Sequence, residues 1–78
     1  PGRVEHALEE RELAEAIDRF LRTLPERECS MFLRRYWYVD SVQSIAARYA
    51  IKENTAKSLL FRTREKLRRY LAGEGIIV

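Results

Sequence analysis

Apolar residues recur along the chain at helical spacing, and four separate segments follow this pattern. In the first segment the apolar positions run from Leu13 to Leu24 with a period near 3.6 residues. The other three segments cover approximately residues 26–38, 41–49 and 53–72. No segment alternates in the way that a half-buried strand does. The pattern therefore predicts an all-α fold, a four-helix domain.

The ends of the chain lie outside these stripes. The first eight residues do not continue the first stripe, so 1–8 is expected to be an N-terminal tail or an extra turn. Gly73 and Gly75 should stop the last helix and leave 73–78 as a C-terminal tail. The helical domain is then expected over 9–72. Its short length allows one domain at most, and a start without Met suggests a domain cut from a longer protein.

Two helix starts carry capping signals. Thr23 and Glu26 have the spacing of a capping box around Pro25, a residue that the first turn of a helix tolerates. They predict the start of the second helix. The third helix has two competing candidate caps, Asp40 and Ser41.

The second half of the chain has the outline of a helix-turn-helix. The short third helix and the long basic fourth helix are joined only by Ala50, Ile51 and Lys52. A connection of this length forces a sharp turn between the two helices. The helix-turn-helix is expected over about 41–71.

The fourth helix has two contrasting faces. Its core stripe is expected to hold Ala56, Leu60, Thr63, Leu67, Tyr70 and Leu71. The opposite face carries basic and short polar residues together with Phe61. An exposed phenylalanine is unfavourable unless a partner covers it, and a thymine methyl would suit it. Packing of Phe61 against the N-terminal segment is the ordinary alternative.

Charge is distributed unevenly along the chain. Residues 1–28 carry a net charge of −3, whereas residues 29–78 carry +6. A basic C-terminal half suggests an anionic partner, with nucleic acid before membrane. A solvated basic face explains the charge alone equally well.

Residues 24–71 contain four short stretches whose sequence and spacing can be compared with those of known protein families. They read Leu-Pro-Glu-Arg-Glu from Leu24, Thr-Ala-Lys-Ser from Thr55, and Phe-Arg-Thr-Arg-Glu-Lys-Leu from Phe61, with Ser41 and Ile45-Ala46 between the first two. With this spacing the segment resembles the C-terminal promoter-reading domain, region 4, of bacterial sigma factors, and is closest to the extracytoplasmic-function type.

The resemblance implies a function and a set of DNA contacts. Region 4 binds the promoter −35 element, while its other helices contact the β flap of the RNA polymerase core. Anti-sigma factors are a further class of partner that would cover the same surfaces. By position, Lys57, Ser58, Phe61 and Arg62 would enter the groove, with Arg62 the candidate for a guanine contact. The full DNA-binding set is Lys52, Asn54, Lys57, Ser58, Phe61, Arg62, Arg64 and Arg68, of which Arg64 and Arg68 would meet phosphates or solvent.

Three residues depart from the family pattern. Ala50 stands at the usual turn glycine, which costs on the order of 1 kcal/mol if the position is left-handed. Lys52 replaces the usual serine cap of the recognition helix and is a poor cap. Ser44 replaces the glutamate that frequently precedes Ile-Ala. These changes bear on promoter preference and leave the fold prediction intact.

The aromatic run Tyr36, Trp37 and Tyr38 ends the second helix. Core packing and bracing of the helix ends is its ordinary explanation. Contact with polymerase or with a regulator is the alternative, which makes these three residues the candidate partner-binding set.

Other function classes lack their signatures. Cys29 is the only cysteine, and no nucleophile–base pair, glycine-rich phosphate loop or zinc-ligand set occurs. Neither catalysis nor a metal or cofactor is expected. No apolar run approaches the ~20 residues that span a bilayer, so membrane contact is not expected and a cytoplasmic location is.

Two competing functions remain open on the sequence. The first is the helix-turn-helix output domain of another regulator, such as a response regulator, although that family lacks the Phe-Arg-x-Arg sequence found from Phe61. The second is a sigma-like module for protein–protein interaction, suggested by Ala50, Lys52 and the aromatic run.

Overall fold

The computed structural model describes the backbone of residues 2–76 and the side chains of residues 9–76. Four helices follow one another along the chain. They are α1 (Gly2–Thr23), α2 (Glu26–Tyr36), α3 (Val42–Arg48) and α4 (Glu53–Gly73). Within the described range no residue is in a strand, and the predicted all-α class is confirmed.

The two terminal helices extend to the ends of the described backbone or close to them. Helix α1 begins at Gly2, so residues 2–8 continue the first helix, which favours the extra-turn alternative over the tail. Helix α4 ends at Gly73, and Gly75 follows it with a φ of 74°. Residues 77–78 of the predicted C-terminal tail lie outside the described residues.

The start of α2 differs from the predicted capping box. Pro25 is the N-cap, and no side chain caps this helix. Thr23 is still the last residue of α1, and its hydroxyl donates a hydrogen bond to the Phe20 carbonyl at 2.7 Å. The Thr23 hydroxyl therefore bonds within α1, and the reciprocal capping bonds between Thr23 and Glu26 are not formed.

The core lies where α2, α3 and α4 meet. Met31, Ile45, Ala46, Ala56 and Leu60 form one buried cluster. Met31 and Ile45 are almost fully buried, at 1% and 0% exposure. The small side chains at Ala46 and Ala56 allow α3 and α4 to approach closely, as a helix-turn-helix requires.

Helix α1 packs mainly along α4. The rings of Phe20 and Tyr70 are 5.6 Å apart between centroids, and Ala16 and Leu71 are buried. Arg19 Nη2 lies 2.7 Å from a carboxylate oxygen of Glu74. The hydrogen bonds that Arg19 donates to Glu74 and to Tyr70 raise the pKa of Arg19. Helix α1 thus braces the C-terminal half of α4 and leaves its N-terminal half to α3.

Candidate nucleic-acid interface

The turn between α3 and α4 is a Schellman motif centred on Ala50. Ala50 has a φ of 54°, so the left-handed conformation considered from the sequence is present. The Ile51 amide donates to the Ala46 carbonyl at 3.0 Å, and the Ala50 amide donates to the Ala47 carbonyl at 3.3 Å. Ile51 then packs against the core cluster. This pair of bonds fixes the angle at which α4 leaves α3.

Ser41, and not Asp40, caps α3. The Ser41 hydroxyl oxygen accepts a hydrogen bond from the Ser44 amide at 3.0 Å. The Asp40 carboxylate instead lies 3.7 Å from Arg34 Nη1. Of the two candidates in the sequence, the serine is correctly placed because the aspartate side chain turns back toward α2.

The start of α4 is weakly capped, as the sequence predicted. Lys52 is the N-cap residue and makes no side-chain cap hydrogen bond. The Lys52 carbonyl does accept the first helical bond, from the Ala56 amide at 3.0 Å. Three amides of the first turn are left for water or for an anionic ligand.

The inner face of α4 matches the predicted core stripe. Ala56, Leu60, Thr63 and Leu71 are buried, and Leu67 and Tyr70 are half-buried. The hydroxyl of Thr63 donates to the Leu59 carbonyl at 3.0 Å, so this buried polar group is satisfied within its own helix.

The outer face of α4 is open to solvent over its first two and a half turns. Asn54, Lys57, Ser58 and Arg62 are exposed, and the Phe61 side chain is 54% exposed. The alternative explanation of Phe61, packing against the N-terminal segment, involves side chains of residues 1–8, which lie outside the described side chains. Arg62 makes no hydrogen bond or ion pair within the described range. Arg62 is thus a cation without a described partner, next to an aromatic ring of which about half is open to solvent.

The other cations of α4 are partly engaged with carboxylates. Lys57 Nζ lies 3.8 Å from Glu53, a loose exposed pair. Arg68 donates to both oxygens of Glu65, at 3.1 and 3.3 Å, which lowers the pKa of Glu65 and raises that of Arg68. Arg68 also lies roughly 24 Å along the helix from Lys52, at 1.5 Å per residue. The structure thus separates Arg68 from the residues near the helix start.

Arg64 points toward the end of α2. Its Nη1 donates to the Tyr36 hydroxyl at 3.2 Å. Its guanidinium carbon lies 5.7 Å from the centre of the Phe61 ring. The Arg64 guanidinium therefore lies between two neutral aromatic side chains, Tyr36 and Phe61.

The aromatic run at the end of α2 is exposed, so core packing is the wrong explanation for most of it. Tyr36, Trp37 and Tyr38 are 45%, 76% and 62% exposed. Tyr36 still packs on Phe32, with ring centroids 4.7 Å apart. Val39 follows at 76% exposure with a φ of 59°, a conformation that β-branched residues rarely adopt. Helix α2 ends at Tyr36, earlier than predicted, because the chain reverses through this left-handed residue.

An apolar groove lies beside the aromatic run, between α1, α2 and α4. Its volume is about 740 Å³. Its walls are formed by Ile17, Leu21, Phe32, Leu33 and Leu67, with Trp37 and Tyr38 at its edge. The groove shares Tyr36 and Arg64 with a second cleft on the α4 face.

A further arginine beside α4 was missed in the sequence. Arg35, in the last turn of α2, lines the cleft on the α4 face. Arg35 carries no sequence signal for this role, because its place beside Lys57 depends on the packing of α2 against α4.

The comparisons with known proteins agree with the geometry. A family model described as sigma-70, region 4 matches residues 14–67. Neither a curated protein nor a solved structure gives a significant match. The matched segment contains the second half of α1, all of α2 and α3, and α4 as far as Leu67. It favours the sigma-factor interpretation over the response-regulator one, and the extracytoplasmic-function type stays a prediction. Within the described residues, no helix is both long enough and apolar enough to cross a membrane.

Proposed function

Because the chain belongs to the sigma-70, region 4 family, we propose that it binds the promoter −35 element through the outer face of α4 and contacts RNA polymerase through its other helices. The observation that carries the proposal is the adjacent pair Phe61 and Arg62 on this face: the Phe61 ring is 54% exposed, and Arg62 is exposed and makes no ion pair or hydrogen bond with another described residue. A domain with these partners acts in the bacterial cytoplasm and has no catalytic role.

The proposed DNA contacts divide by chemistry. The Arg62 guanidinium has the forked donors that match guanine O6 and N7, and Phe61 offers an apolar surface to a thymine methyl. Asn54 and Ser58 supply hydrogen-bonding groups for other base edges. Lys52 and Lys57 flank them and meet phosphates, which position the helix without reading sequence.

The DNA contact is tested on the chain's preferred duplex, selected from a randomised library. Arg62→Ala should weaken binding to that duplex by roughly 1–3 kcal/mol and relax preference at one base pair. Lys57→Ala should lower the slope of log affinity against log salt by about one, and it should weaken binding to all duplexes alike. Arg27→Ala, an exposed position at the start of α2, is the matched control. If neither α4 substitution weakens specific binding, the groove assignment is wrong.

The apolar groove between α1, α2 and α4 is the surface that we assign to polymerase. Its volume of about 740 Å³ and its leucine walls suit an amphipathic helix such as one presented by the β flap. Trp37 is the single tryptophan of the chain and stands at the groove edge, so its fluorescence reports occupancy.

Titration with the isolated β flap tests this assignment. It should shift the Trp37 emission to shorter wavelength, and Leu33→Asp at the groove wall should abolish the shift while duplex binding persists. Binding of the flap with unchanged affinity to Leu33→Asp would contradict the assignment. An anti-sigma factor that competes with the flap for the same shift would identify the groove as a shared regulatory surface.

A further inference from the structure

A second cleft lies on the DNA-facing side of the molecule, between the end of α2 and the middle of α4. Its volume is about 310 Å³, and its apolar floor is formed by Val42 and Leu60. Three cations stand around it, namely Arg35, Lys57 and Arg64. Within the described residues no carboxylate lines this cleft. A pocket with an apolar floor and a positive rim favours a compact anion.

Neutral groups hold two of the three cations in place. Arg35 Nη1 donates to the Asp40 backbone carbonyl at 3.1 Å. Arg64 Nη1 donates to the Tyr36 hydroxyl at 3.2 Å. A carbonyl and a phenol fix the position of a guanidinium without cancelling its charge. The ordering cost of binding an anion is therefore partly met before the anion arrives.

The contrast with neighbouring cations is clear. Arg68 is paired with Glu65, and Lys66 Nζ lies 3.3 Å from Glu28. These cations are already neutralised by carboxylates. Among the described residues, Arg35 and Arg64 of the cleft are instead held by neutral groups and have no carboxylate partner, and the third cation, Lys57, lies 3.8 Å from Glu53 in a loose exposed pair.

Tyr36 adds a donor to the cleft. Its hydroxyl oxygen accepts the hydrogen bond from Arg64, so its own hydrogen is available to another acceptor. Charge-assisted hydrogen bonds from guanidinium groups are the strongest that a phosphate oxygen receives in proteins. The cleft is lined both by guanidinium donors, from Arg35 and Arg64, and by a hydroxyl donor, from Tyr36.

We propose that this cleft binds one phosphate group through Arg35, Arg64 and Tyr36, and that the phosphate belongs to the DNA backbone beside the groove that α4 enters. The DNA source rests on the function proposed above. Lys57 and Phe61 line the cleft and also lie on the outer face of α4, so a duplex seated on that face brings its backbone to the cleft. Such a contact fixes the register of α4 and carries no sequence information.

The test compares salt slopes for the 78-residue chain and its variants on the preferred duplex and on a scrambled duplex. Arg35→Gln and Arg64→Gln should each reduce the slope of log affinity against log salt by about 0.9, the value for one phosphate contact. Each should weaken both duplexes by a similar factor. Arg27→Gln removes the same charge outside the cleft and should leave the slope unchanged. Arg35→Lys keeps the charge and should restore most of the slope, which separates a charge effect from damage to the end of α2.

A second arm uses inorganic phosphate without DNA and follows the side-chain resonances of Arg35 and Arg64. If the wild-type chain binds its duplex and both glutamine variants have the same salt slope as the wild-type chain, the proposed DNA contact is wrong. Saturable shifts with phosphate alone would then assign the cleft to a free phosphate compound. If wild-type chain binds no duplex, the proposed function fails, and the phosphate arm alone decides whether the cleft is an anion site. No shift in that arm together with unchanged slopes would overturn the site altogether.

Discussion

Arg64 Nη1 donates a hydrogen bond to the Tyr36 hydroxyl at 3.2 Å and thereby joins the middle of α4 to the last residue of α2. Both residues line the cationic cleft on one side and the apolar groove on the other. The surface proposed for DNA and the surface proposed for polymerase therefore meet at this single contact.

Tyr36→Phe tests how much this contact positions Arg64. The charge of Arg64 remains, and the packing of ring 36 on Phe32 is retained, but the tether is lost. We expect duplex affinity to fall about threefold while the salt slope stays unchanged, because the neutral Tyr36 donor is lost and Arg64 keeps its phosphate contact at a higher ordering cost. Fluorescence anisotropy over a range of salt concentrations measures both quantities. A slope lowered by one would mean that Arg64 no longer contacts phosphate without its tether.

Val39 is expected to destabilise the domain. It holds a φ of 59° and is 76% exposed, so it combines an unfavourable backbone conformation with little burial. Val39→Gly should raise the free energy of unfolding by about 1 kcal/mol, since glycine adopts this region without a Cβ clash. Urea denaturation followed by circular dichroism measures the change. A loss of stability would indicate that the Val39 side chain makes a favourable contact.

Ala50 and Ala47 form a matched pair for the turn. Ala50 lies in the left-handed region at a φ of 54°, whereas Ala47 is an exposed residue within α3. Ala50→Gly should stabilise the domain by about 0.5–1 kcal/mol, and Ala47→Gly should destabilise it by a similar amount. The same chemical change should thus have opposite signs three residues apart in one denaturation experiment. Equal signs would contradict the Schellman geometry of the turn.

Lys52 is expected to lower the stability of the domain and to increase its affinity for DNA. Lys52→Ser supplies the missing cap of α4 and should stabilise the domain by about 1 kcal/mol. It also removes a proposed phosphate contact and should lower the salt slope by about one. Thermal melting and duplex titration of one variant give both numbers. A more stable variant with an unchanged slope would remove Lys52 from the DNA-binding set.

The sequence was informative wherever a property repeats along one helix. The stripe of Ala56, Leu60 and Thr63 follows from a period of 3.6, and these residues are buried as predicted. The sharp turn between α3 and α4 followed from the short connection, and the left-handed conformation of Ala50 was raised by the glycine that the family usually has there. These features depend on residues close together in the sequence, so they can be predicted without knowing how the helices pack.

The errors concern features that depend on packing between helices. Thr23 bonds within its own helix and does not cap the next one. Tyr36 and Arg64 are 28 residues apart, and only the packing of α2 against α4 brings them together. The exposure of Trp37 follows from the reversal at Val39, which no local rule for valine predicts.

The proposed function depends most on Arg62, which we expect to read a base in the preferred duplex. A double-mutant cycle tests it most directly, with wild-type chain and Arg62→Ala measured on the preferred duplex and on duplexes with single base-pair substitutions. We expect Arg62→Ala to cost roughly 1–3 kcal/mol on the preferred duplex and almost nothing on the one duplex that lacks the contacted guanine. Equal losses on every duplex would contradict base reading by Arg62 and leave it as a phosphate contact.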